Sequence, residues 1–566
     1  MNNFFKNKIK SDFVWLILLS CIVLFPNFYL AAVGSDLSGS FFVKIAYIFI
    51  SFIIFFIPAL FLKTKYFFLL HGIFVLLAPI EIAHIYLNKM GITTGFMIAF
   101  FSTDKNEAIE IVLSIFPAVL IFFVIWVAYF FILFKKIKNR YIIPNIKLRI
   151  AVLSLFLVVF ISFFAYIYRM AYTITPTTER HNVMEKTRTW FSMKFDKIYP
   201  CSFVIKSIYT LDINVKIKKE REALSSFSFN STKKQPIKER EIYVFVIGET
   251  ARYSSFSING YERETSPLLS KTDDLVSFSN FYSGANLTSP SLPLMLTRAT
   301  ATDSYRWTKE KSFVDAFKEA GFKTYWIANQ SAANNFIRRI SKDADEEFFE
   351  IKDLDAADNY DQKLWVYLDK VLSKNDEKAL IVIHSLGSHF RYNFRYPPEF
   401  NVFKPNFEGS FNYNLIVPKN KQLFINTYDN SILYTDYFLA NTIKKIENQN
   451  AVAFFAYTAD HGENLFDTDE NLVLHGSSKP TELEIHVPLF IWSSKKYQEI
   501  YAEKWGNILA NKDKKASAKI LFYSMLDAAD ITFPEQQLEQ CFTSDLMQED
   551  SVRYMITPDM SVKIFK

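Results

Sequence analysis

Hydrophobic positions are spread unevenly along the chain, and the long apolar runs are concentrated before residue 168. Each of these runs is close to or above the length of about 20 residues that a helix needs to cross a bilayer. The runs are residues 13–33, 41–62, 66–87, 111–134 and 150–168. The pattern therefore predicts a transmembrane domain of five helices in residues 1–168.

The charges that flank these runs predict their direction. Lys and Arg cluster before the first run, between the second and third, and between the fourth and fifth, whereas the alternate loops carry little net positive charge. The clusters are Lys6, Lys8 and Lys10; Lys63 and Lys65; and Lys135, Lys136, Lys138, Arg140, Lys147 and Arg149. By the positive-inside rule the N-terminus is cytoplasmic, and an odd number of spans places the chain after residue 168 outside. The first run is too long for a cleavable signal peptide and is followed at once by further spans.

Two ionisable residues, Glu81 and His84, lie near the outer end of the third run. Burying an ionised side chain at mid-bilayer costs roughly 3 kcal/mol or more. Two interpretations stay open, namely contact with a lipid headgroup and snorkelling of both side chains toward the interface.

The chain becomes polar after the fifth run, and residues 169–240 are rich in Lys, Arg, Ser and Thr with short apolar patches such as 190–195. This pattern is typical of a linker whose amphipathic helices lie on a membrane surface. Since the last span ends outside, we expect this linker to be periplasmic.

Strand-like apolar runs alternate with helical stretches from residue 241 to the end of the chain. This alternation is typical of a mostly parallel sheet with helices on both faces. The candidate strands are residues 242–248, 275–282, 324–328, 379–384, 451–458 and 487–492. We therefore predict an α/β catalytic domain over residues 241–566.

Charged and imidazole side chains follow two of these runs directly. Glu249 comes after residues 242–248, and Asp460 and His461 come after residues 451–458. Open α/β sheets place their ligands at the carboxyl ends of strands, and two acids with one imidazole suit a zinc ion. Three protein ligands leave one position open, which is typical of a catalytic zinc. The alternative is a solvated Glu just past a strand.

A nucleophile is predicted at Thr288, in the turn-rich stretch GANLTSPSLP. The stretch precedes an apolar helix, so the Thr288 hydroxyl would lie at a helix N-terminus and face a phosphate. A metal ion would stabilise its alkoxide, as it does hydroxide from bound water. Thr250, Ser289 and Ser291 are rivals, and the alternative for Thr288 is an N-cap without chemistry.

Composition narrows the classes of function. The 566 residues carry a net charge of +6, and after residue 168 Lys and Arg are interleaved with Asp and Glu. The sequence therefore shows no basic patch of the kind that binds nucleic acids. Of the three cysteines, Cys21 lies in an apolar run, which leaves Cys201 and Cys541 as the one possible disulfide pair outside the bilayer. Whether they pair stays open.

A set of short motifs resembles the phosphoethanolamine transferases of Gram-negative envelopes, which include lipid A modifiers and mobile colistin-resistance enzymes. The motifs are GETAR at 248–252, Thr288, HSLGSH at 384–389, RYP at 395–397, ADHGE at 459–463, LHG with His475 and HVP with His486. The five predicted spans match this family as well, so the resemblance covers essentially the whole chain.

The resemblance implies a C-terminal domain of the alkaline-phosphatase and sulfatase type with one zinc site, a second zinc being left open. It implies that Glu249, Thr288, Asp460 and His461 bind this zinc, with Thr288 as the nucleophile. His389 and His475 would contact the phosphate or a second zinc, and Asn329 would lie near the donor phosphate.

The implied reaction has two steps and takes place at the periplasmic face of the inner membrane. Thr288 takes phosphoethanolamine from phosphatidylethanolamine and passes it to lipid A, a core sugar or another glycan. The stretch WIANQ, which ends at Gln330, resembles the branch that acts on core sugars or other glycans. We expect a monomer.

Three other functions are alternatives for this chain. A phosphoglycerol transferase or other phosphohydrolase of the superfamily is the first alternative. A sulfatase would need Cys or Ser in a C/S-x-P-x-R setting, whereas Thr288 is followed by SPSL without an arginine. A catalytically silent envelope scaffold is the third, and the intact set of proposed ligands argues against it.

Overall fold

A computed structural model describes residues 2–34, 41–102, 116–174, 183–184, 187, 195, 197–330, 335–350, 359–408, 415–477 and 479–565. The chain divides into two compact units. The first comprises Met1–Met97 and Ile115–Asp212, and the second comprises Ile98–Ser114 and Ile213–Lys566. The boundaries predicted near residues 168 and 240 stay a prediction.

Eight helices are described before residue 223. They are α1 (Asn2–Val23), α2 (Phe25–Val33), α3 (Phe41–Phe56), α4 (Thr64–Asn88), α5 (Thr94–Ser102), α6 (Phe116–Lys136), α7 (Ile146–Ile174) and α8 (Cys201–Glu222). Within the described residues, three helices are long and apolar enough to cross a membrane, namely Phe41–Leu60, Thr64–Asn88 and Ile146–Thr173. A fourth span results if the pair Phe13–Val23 and Phe25–Val33, bent by 57°, counts as one.

The predicted number of five spans is therefore not exact. The fourth predicted run, residues 111–134, coincides with α6 over most of its length, but residues 111–115 lie outside the described part of the chain. The first predicted run is divided at its bend, where Pro26 lies at the start of α2. Proline lacks the N–H that would continue the preceding helix, which accounts for the break.

The core of the first unit forms where α4 packs against α6. Phe67, Phe68, Tyr129 and Leu133 are buried there, and the Tyr129 hydroxyl donates to the Phe68 carbonyl oxygen at 2.6 Å. A Cβ atom at Gly72 would lie 2.5 Å from the Phe130 ring, so the close approach of the two helices requires glycine there. Apolar packing of this kind, with the hydroxyl bonded, is how helices associate in lipid.

Part of the predicted linker packs inside the first unit. The Asn27 side chain donates to the Tyr199 carbonyl oxygen at 2.7 Å and accepts from the Tyr199 N–H at 2.9 Å. Tyr199 is 1% exposed, and its hydroxyl donates to the Phe74 carbonyl oxygen of α4. The chain around Tyr199 is thus held by α2 and α4, whereas the predicted patch 190–195 lies mostly outside the described residues.

Glu81 and His84 are both buried in the first unit, with 1% and 4% of their surface exposed. Glu81 Oε1 accepts from the Ile92 N–H at 3.1 Å, and His84 Nδ1 lies 3.1 Å from the Met90 carbonyl oxygen. Lys206 Nζ donates to the Ile92 carbonyl oxygen. These side chains secure the turn after α4 instead of extending toward solvent.

The second unit is built on a seven-stranded sheet with the order β3-β11-β8-β2-β7-β5-β6. Its strands are β2 (Glu241–Gly248), β3 (Leu275–Ser277), β5 (Lys323–Ala328), β6 (Glu346–Phe349), β7 (Lys378–His384), β8 (Val452–Ala459) and β11 (Leu489–Ser493). The five strands from β8 to β6 run parallel, whereas β11 is antiparallel to β8 and to β3. Every residue of the central strand β2 is buried, as its unbroken apolar run predicts.

Shorter strands pair outside this sheet. They are β1 (Thr232–Lys233) with β13 (Ile531–Thr532), β4 (Phe281–Tyr282) with β12 (Ala516–Ser517), β9 (Asn464–Leu465) with β10 (Val473–Leu474), and β14 (Arg553–Ile556) with β15 (Val562–Phe565). The helices are α9 (Thr288–Leu296), α10 (Phe313–Glu319), α11 (Asn335–Ser341), α12 (Leu364–Leu372), α13 (Lys421–Glu447), α14 (Glu482–Ile485), α15 (Lys495–Ile500), α16 (Ala502–Asn511) and α17 (Ile520–Ala528).

All three cysteines are free thiols, so Cys201 and Cys541 form no disulfide. Cys541 is fully buried, and its thiol donates to the Gln537 carbonyl oxygen at 3.3 Å. Packing and hydrogen bonds therefore hold the second unit together.

Candidate active site and metal centre

Two neighbouring parallel strands deliver two carboxylates to one edge of the sheet. Gly248, the last residue of β2, pairs in register with Ala459, the last residue of β8. Glu249 and Asp460 follow at once, so their side chains emerge side by side. A Cβ atom at Gly248 would lie 2.5 Å from the Tyr457 hydroxyl, which explains why the strand ends in glycine.

Glu249, Asp460 and His461 form a buried cluster in which one ligand atom from each lies within 4.8 Å of the others. His461 Nε2 is 3.5 Å from Glu249 Oε1 and 3.4 Å from Asp460 Oδ2. The structure therefore brings together the three residues that the sequence singled out as metal ligands.

Backbone groups fix how two of these side chains are presented. Asp460 Oδ1 accepts from the Thr250 N–H at 3.1 Å and from the His461 N–H at 2.8 Å, whereas Oδ2 is buried and has no hydrogen-bond partner among the described residues. His461 Nδ1 donates to the Gly462 carbonyl oxygen at 2.8 Å, so Nε2 keeps its lone pair. Asp460 Oδ2 and His461 Nε2 are thus two atoms of the cluster with a lone pair available to a metal ion.

Electrostatics favour a cation in this cluster. Burial raises the pKa of Glu249 well above its usual value, and the neighbouring Asp460 raises it further. Burial lowers the pKa of His461, which keeps the imidazole neutral and able to bind a metal. A buried oxygen without a hydrogen-bond donor costs free energy. A divalent metal ion would offset both the repulsion between the Glu249 and Asp460 carboxylates and the hydration that they lose on burial. The residues present fit a metal site.

Thr288 is the first residue of α9, and its hydroxyl contacts the cluster directly. Thr288 Oγ1 lies 3.3 Å from Glu249 Oε1 and 3.3 Å from His461 Nε2. The preceding loop is held by Asn286, whose side-chain amide donates to Glu484 Oε1 at 2.9 Å and to the Ser477 carbonyl oxygen at 3.0 Å. This loop therefore places a half-buried hydroxyl at a helix N-terminus beside the proposed metal ligands.

Two of the rival hydroxyls are placed differently. Thr250 Oγ1 donates to the same Glu249 oxygen at 3.0 Å, but Thr250 is completely buried. Ser291 Oγ donates to the Ala285 carbonyl oxygen at 3.2 Å, inside the loop. Of these three, Thr288 combines contact with the cluster and partial exposure.

His475 stacks close to the cluster and is held by a buried acid. Its ring centroid lies 4.0 Å from that of His461, and its Nδ1 lies 3.2 Å from Glu463 Oε1. The other Glu463 oxygen accepts from the Tyr392 hydroxyl at 3.0 Å. Burial alone would lower the pKa of His475, but the Glu463 carboxylate raises it above its usual value. Sequence reasoning gave Glu463 and Tyr392 no role, although Glu463 lies within the ADHGE motif.

His389 reaches the same edge of the sheet through a tight loop after β7. The Ser388 N–H donates to the Glu249 carbonyl oxygen at 3.0 Å, and Gly387 has a φ of +51°. A Cβ atom at Gly387 would lie 2.7 Å from that carbonyl oxygen, so the loop requires glycine. Burial and the Arg395 charge lower the pKa of His389 to about 3.

Asn329 directly follows β5 and is fully buried. Its side chain bonds to Asp361, the residue that holds the loop carrying His389. Its side-chain amide donates to Asp361 Oδ1 at 2.8 Å. Asp361 in turn accepts from the Leu386 N–H at 2.8 Å and from the Gly387 N–H at 2.9 Å. The structure thus places Asn329 behind the His389 loop and shows no contact of Asn329 with the cluster among the described residues.

Curated proteins similar to this chain are phosphoethanolamine transferases, as the motifs led us to expect. EptC of Escherichia coli K12 is 28% identical over 367 residues, which is 62% of this chain and 62% of EptC. The Kdo(2)-lipid A phosphoethanolamine 7''-transferase of the same strain is 32% identical over 294 residues, 49% of this chain and 48% of that protein. The chain thus matches between about half and three fifths of the length of these curated relatives.

Solved structures extend the similarity to both units. The C-terminal periplasmic domain of EptC from Escherichia coli in complex with Zn matches with a TM-score of 0.54 and 27% identity, over 59% of this chain and 94% of that one. The integral membrane protein EptA of Neisseria meningitidis matches with a TM-score of 0.71 and 21% identity, over 94% of this chain and 98% of that one. This confirms the predicted fold of apolar helices followed by an α/β domain.

The sulfatase family matches residues 241–531, which include β2, the Thr288 loop and every residue of the cluster. This stretch is more than half of the chain. The protein therefore belongs to the sulfatase family.

Proposed function

We propose that this protein is a phosphoethanolamine transferase, which moves phosphoethanolamine from phosphatidylethanolamine to a glycolipid or glycan of the cell envelope. The observation that carries the proposal is the position of Thr288 Oγ1, at 3.3 Å from both Glu249 Oε1 and His461 Nε2. The similarity to EptC and to the lipid A transferase supports this choice of transferred group.

We propose zinc as the metal, held by Glu249, Asp460 and His461 together with Thr288. Two carboxylates and one imidazole are ligands that zinc accepts, and the similarity to the zinc complex of the EptC domain supports the assignment. When bound, the ion would stabilise the alkoxide form of a coordinated hydroxyl.

The side chains of the site suit a first step that transfers the group to the protein. Thr288 Oγ1 attacks the phosphorus, a bond forms between this oxygen and phosphorus, and the bond from phosphorus to the diacylglycerol oxygen breaks. Glu249 Oε1 is placed to receive the Thr288 proton. We propose that His475 protonates the leaving oxygen, because its pairing with Glu463 allows it to carry a positive charge.

The second step reverses these roles. An acceptor hydroxyl gives its proton to His475 and attacks the phosphorus, so that the bond to Thr288 Oγ1 breaks and Glu249 returns the proton to the threonine. Where the acceptor is a phosphate without a proton, His475 takes its proton from water. The N-terminus of α9 supplies positive potential for the phosphate in both steps. His389, which its lowered pKa keeps neutral, would contribute a hydrogen bond to the phosphate and no charge. We propose that Asn329 acts through the His389 loop.

We propose that the reaction takes place at the inner membrane, with the N-terminus cytoplasmic and the second unit periplasmic. Flanking Lys and Arg support this direction, and the similarity to the periplasmic domain of EptC supports the compartment. A lipid donor explains why one chain carries both apolar helices and a phosphate site.

Replacing the nucleophile tests the proposed function. Thr288→Ala in the full chain is expected to abolish phosphoethanolamine transfer, because the attacking oxygen is lost. Mass spectrometry of envelope glycolipids and glycans measures the product, and peptide mapping of the wild type detects phosphoethanolamine bound to Thr288. The matched control is Ser289→Ala, the next residue of the same helix, which should keep wild-type transfer. Full transfer by Thr288→Ala would overturn the mechanism.

A further inference from the structure

The first unit contains an apolar cavity of about 600 Å³ between α3, α4, α7 and the start of α8. Ile54 lines it from α3, Phe74 from α4, Phe156 and Val159 from α7, and Val204 from α8. The volume lies within the range of roughly 300–1,000 Å³ that ligand sites occupy. The cavity belongs wholly to the first unit and contains no residue of the proposed active site.

The chemistry of its walls excludes a polar ligand. Among the described lining residues, His71 and Cys201 alone carry a heteroatom in the side chain. His71 Nδ1 already lies 2.8 Å from the Phe67 carbonyl oxygen, within its own helix. A cavity lined in this way holds neither water nor a headgroup favourably, because nothing in it replaces their hydrogen bonds.

Helix α7 is hardly covered by protein in the part of the chain that the structure describes. In its most apolar window only 6% of the residues are buried, compared with 39% in α4. The lining residues Phe156 and Val159 come from the middle of α7, and Phe74 comes from the middle of α4. The cavity therefore lies at the depth of lipid hydrocarbon and separates α7 from the other helices.

We propose that one acyl chain of a resident membrane phospholipid occupies this cavity and joins α7 to α3, α4 and α8. Only hydrocarbon matches both the apolar walls and their depth, and a filled cavity restores the van der Waals contacts that an empty one forfeits. The site recognises the chain and not the headgroup, so the lipid is a structural component distinct from the donor of the proposed reaction.

A matched pair of substitutions on α3 tests the proposal. Ile54 lines the cavity, whereas Ile45, nine residues earlier and therefore on the opposite side of the same helix, is 47% exposed and is not a lining residue. We expect wild type and Ile45→Trp, purified as the full chain, to retain one phospholipid in native mass spectrometry, and Ile54→Trp to lose most of it. Absence of retained lipid from the wild type, or equal loss in both variants, would overturn the proposal.

A second measurement separates a resident lipid from the donor. Delipidated full-length wild type is titrated with phosphatidylethanolamine or phosphatidylglycerol of identical acyl chains, and its melting temperature is followed. We expect both lipids to raise the melting temperature equally, and neither to do so in Ile54→Trp. Recovery with phosphatidylethanolamine alone would show a headgroup-selective donor site, and association of the delipidated chain into dimers would show a protein partner on this face; either result contradicts the proposal.

Discussion

The two oxygens of Asp460 have different surroundings, and this difference determines what the carboxylate can bind. Oδ1 is occupied by the N–H groups of Thr250 and His461, which fix the plane of the carboxylate. Oδ2 is buried, receives no hydrogen bond from the residues that the structure describes, and lies 3.4 Å from His461 Nε2. Oδ1 therefore stabilises the local backbone, and Oδ2 is available to bind a cation.

Replacing one oxygen of Asp460 is expected to remove the metal and to keep the fold. In Asp460→Asn the amide oxygen can still accept both backbone bonds, but an NH2 group replaces Oδ2. Loss of a residue that only hydrogen-bonds to a metal ligand weakens metal binding by about 10–100-fold. Loss of a ligand itself should weaken it at least as much. Zinc in the purified full chain is measured by plasma mass spectrometry, with Asp469→Asn, at an exposed position further along the chain, as the control. Equal zinc in both variants would contradict the assignment.

Glu463 is expected to act through His475 rather than through the metal. Glu463→Gln keeps the size of the side chain but removes the charge beside His475 Nδ1, and transfer should fall by about 10–100-fold. Zinc content should be unchanged, which distinguishes this variant from Asp460→Asn. Glu470→Gln, an exposed position a few residues further on, is the matched control. Wild-type transfer by Glu463→Gln would show that His475 needs no such partner.

Much of the candidate site could be predicted residue by residue, because strand ends and helix starts are visible in the sequence. Glu249 and Asp460 follow apolar runs, and Thr288 begins a helix after a turn-rich stretch, so all three positions had local signals. The contact between Tyr392 and Glu463 had none, since it joins loops that are distant in the chain. The direct contact of Asn329 with the donor phosphate stays a prediction.

The bounds of the interior strands of the sheet were predicted within one or two residues, whereas the strands at its two edges were not predicted correctly. The runs at 242–248, 379–384 and 451–458 correspond to β2, β7 and β8, which are almost entirely buried. The run at 275–282 is interrupted by polar residues and forms two short strands. β6 begins with two glutamates and is only half-buried, so its sequence lacks an apolar run. The antiparallel direction of β11 depends on how it pairs with β8 and β3, and no local sequence pattern indicates this pairing.

The loop after β7 gives a prediction for backbone geometry. Gly387→Ala should destabilise the second unit by about 1–3 kcal/mol, because the residue has a positive φ and its Cβ would press on the Glu249 backbone. Gly506→Ala, in helix α16 with open space around it, should stabilise the unit by about 0.5–1 kcal/mol. Thermal unfolding of the full chain measures both. Shifts of the same sign would show that the loop is not constrained as described.

For the molecule as a whole, the direction of insertion follows from charge. The cluster from Lys135 to Arg149 surrounds the connection between α6 and α7 and should stay in the cytoplasm. A phosphatase reporter that is active only outside the cytoplasm should be active when fused after residue 168 and inactive when fused after residue 138. Activity in the reverse order would overturn the predicted topology.

Part of the organisation of the first unit could not be predicted from composition. The stretch around Tyr199 is polar enough to suggest a surface linker, yet Asn27 pairs with its backbone and Lys206 reaches the turn after α4. These contacts satisfy the backbone hydrogen bonds that an apolar surrounding would otherwise leave open. Hydropathy reports the average environment of a segment and not which distant side chain completes its hydrogen bonds.

The unpaired state of all three cysteines has a consequence for how the protein matures. The proposed periplasmic location would put the second unit in an oxidising compartment, where enzymes introduce disulfides into many proteins. This chain can reach its native state without them, so hosts that lack thiol oxidases should produce it in full yield.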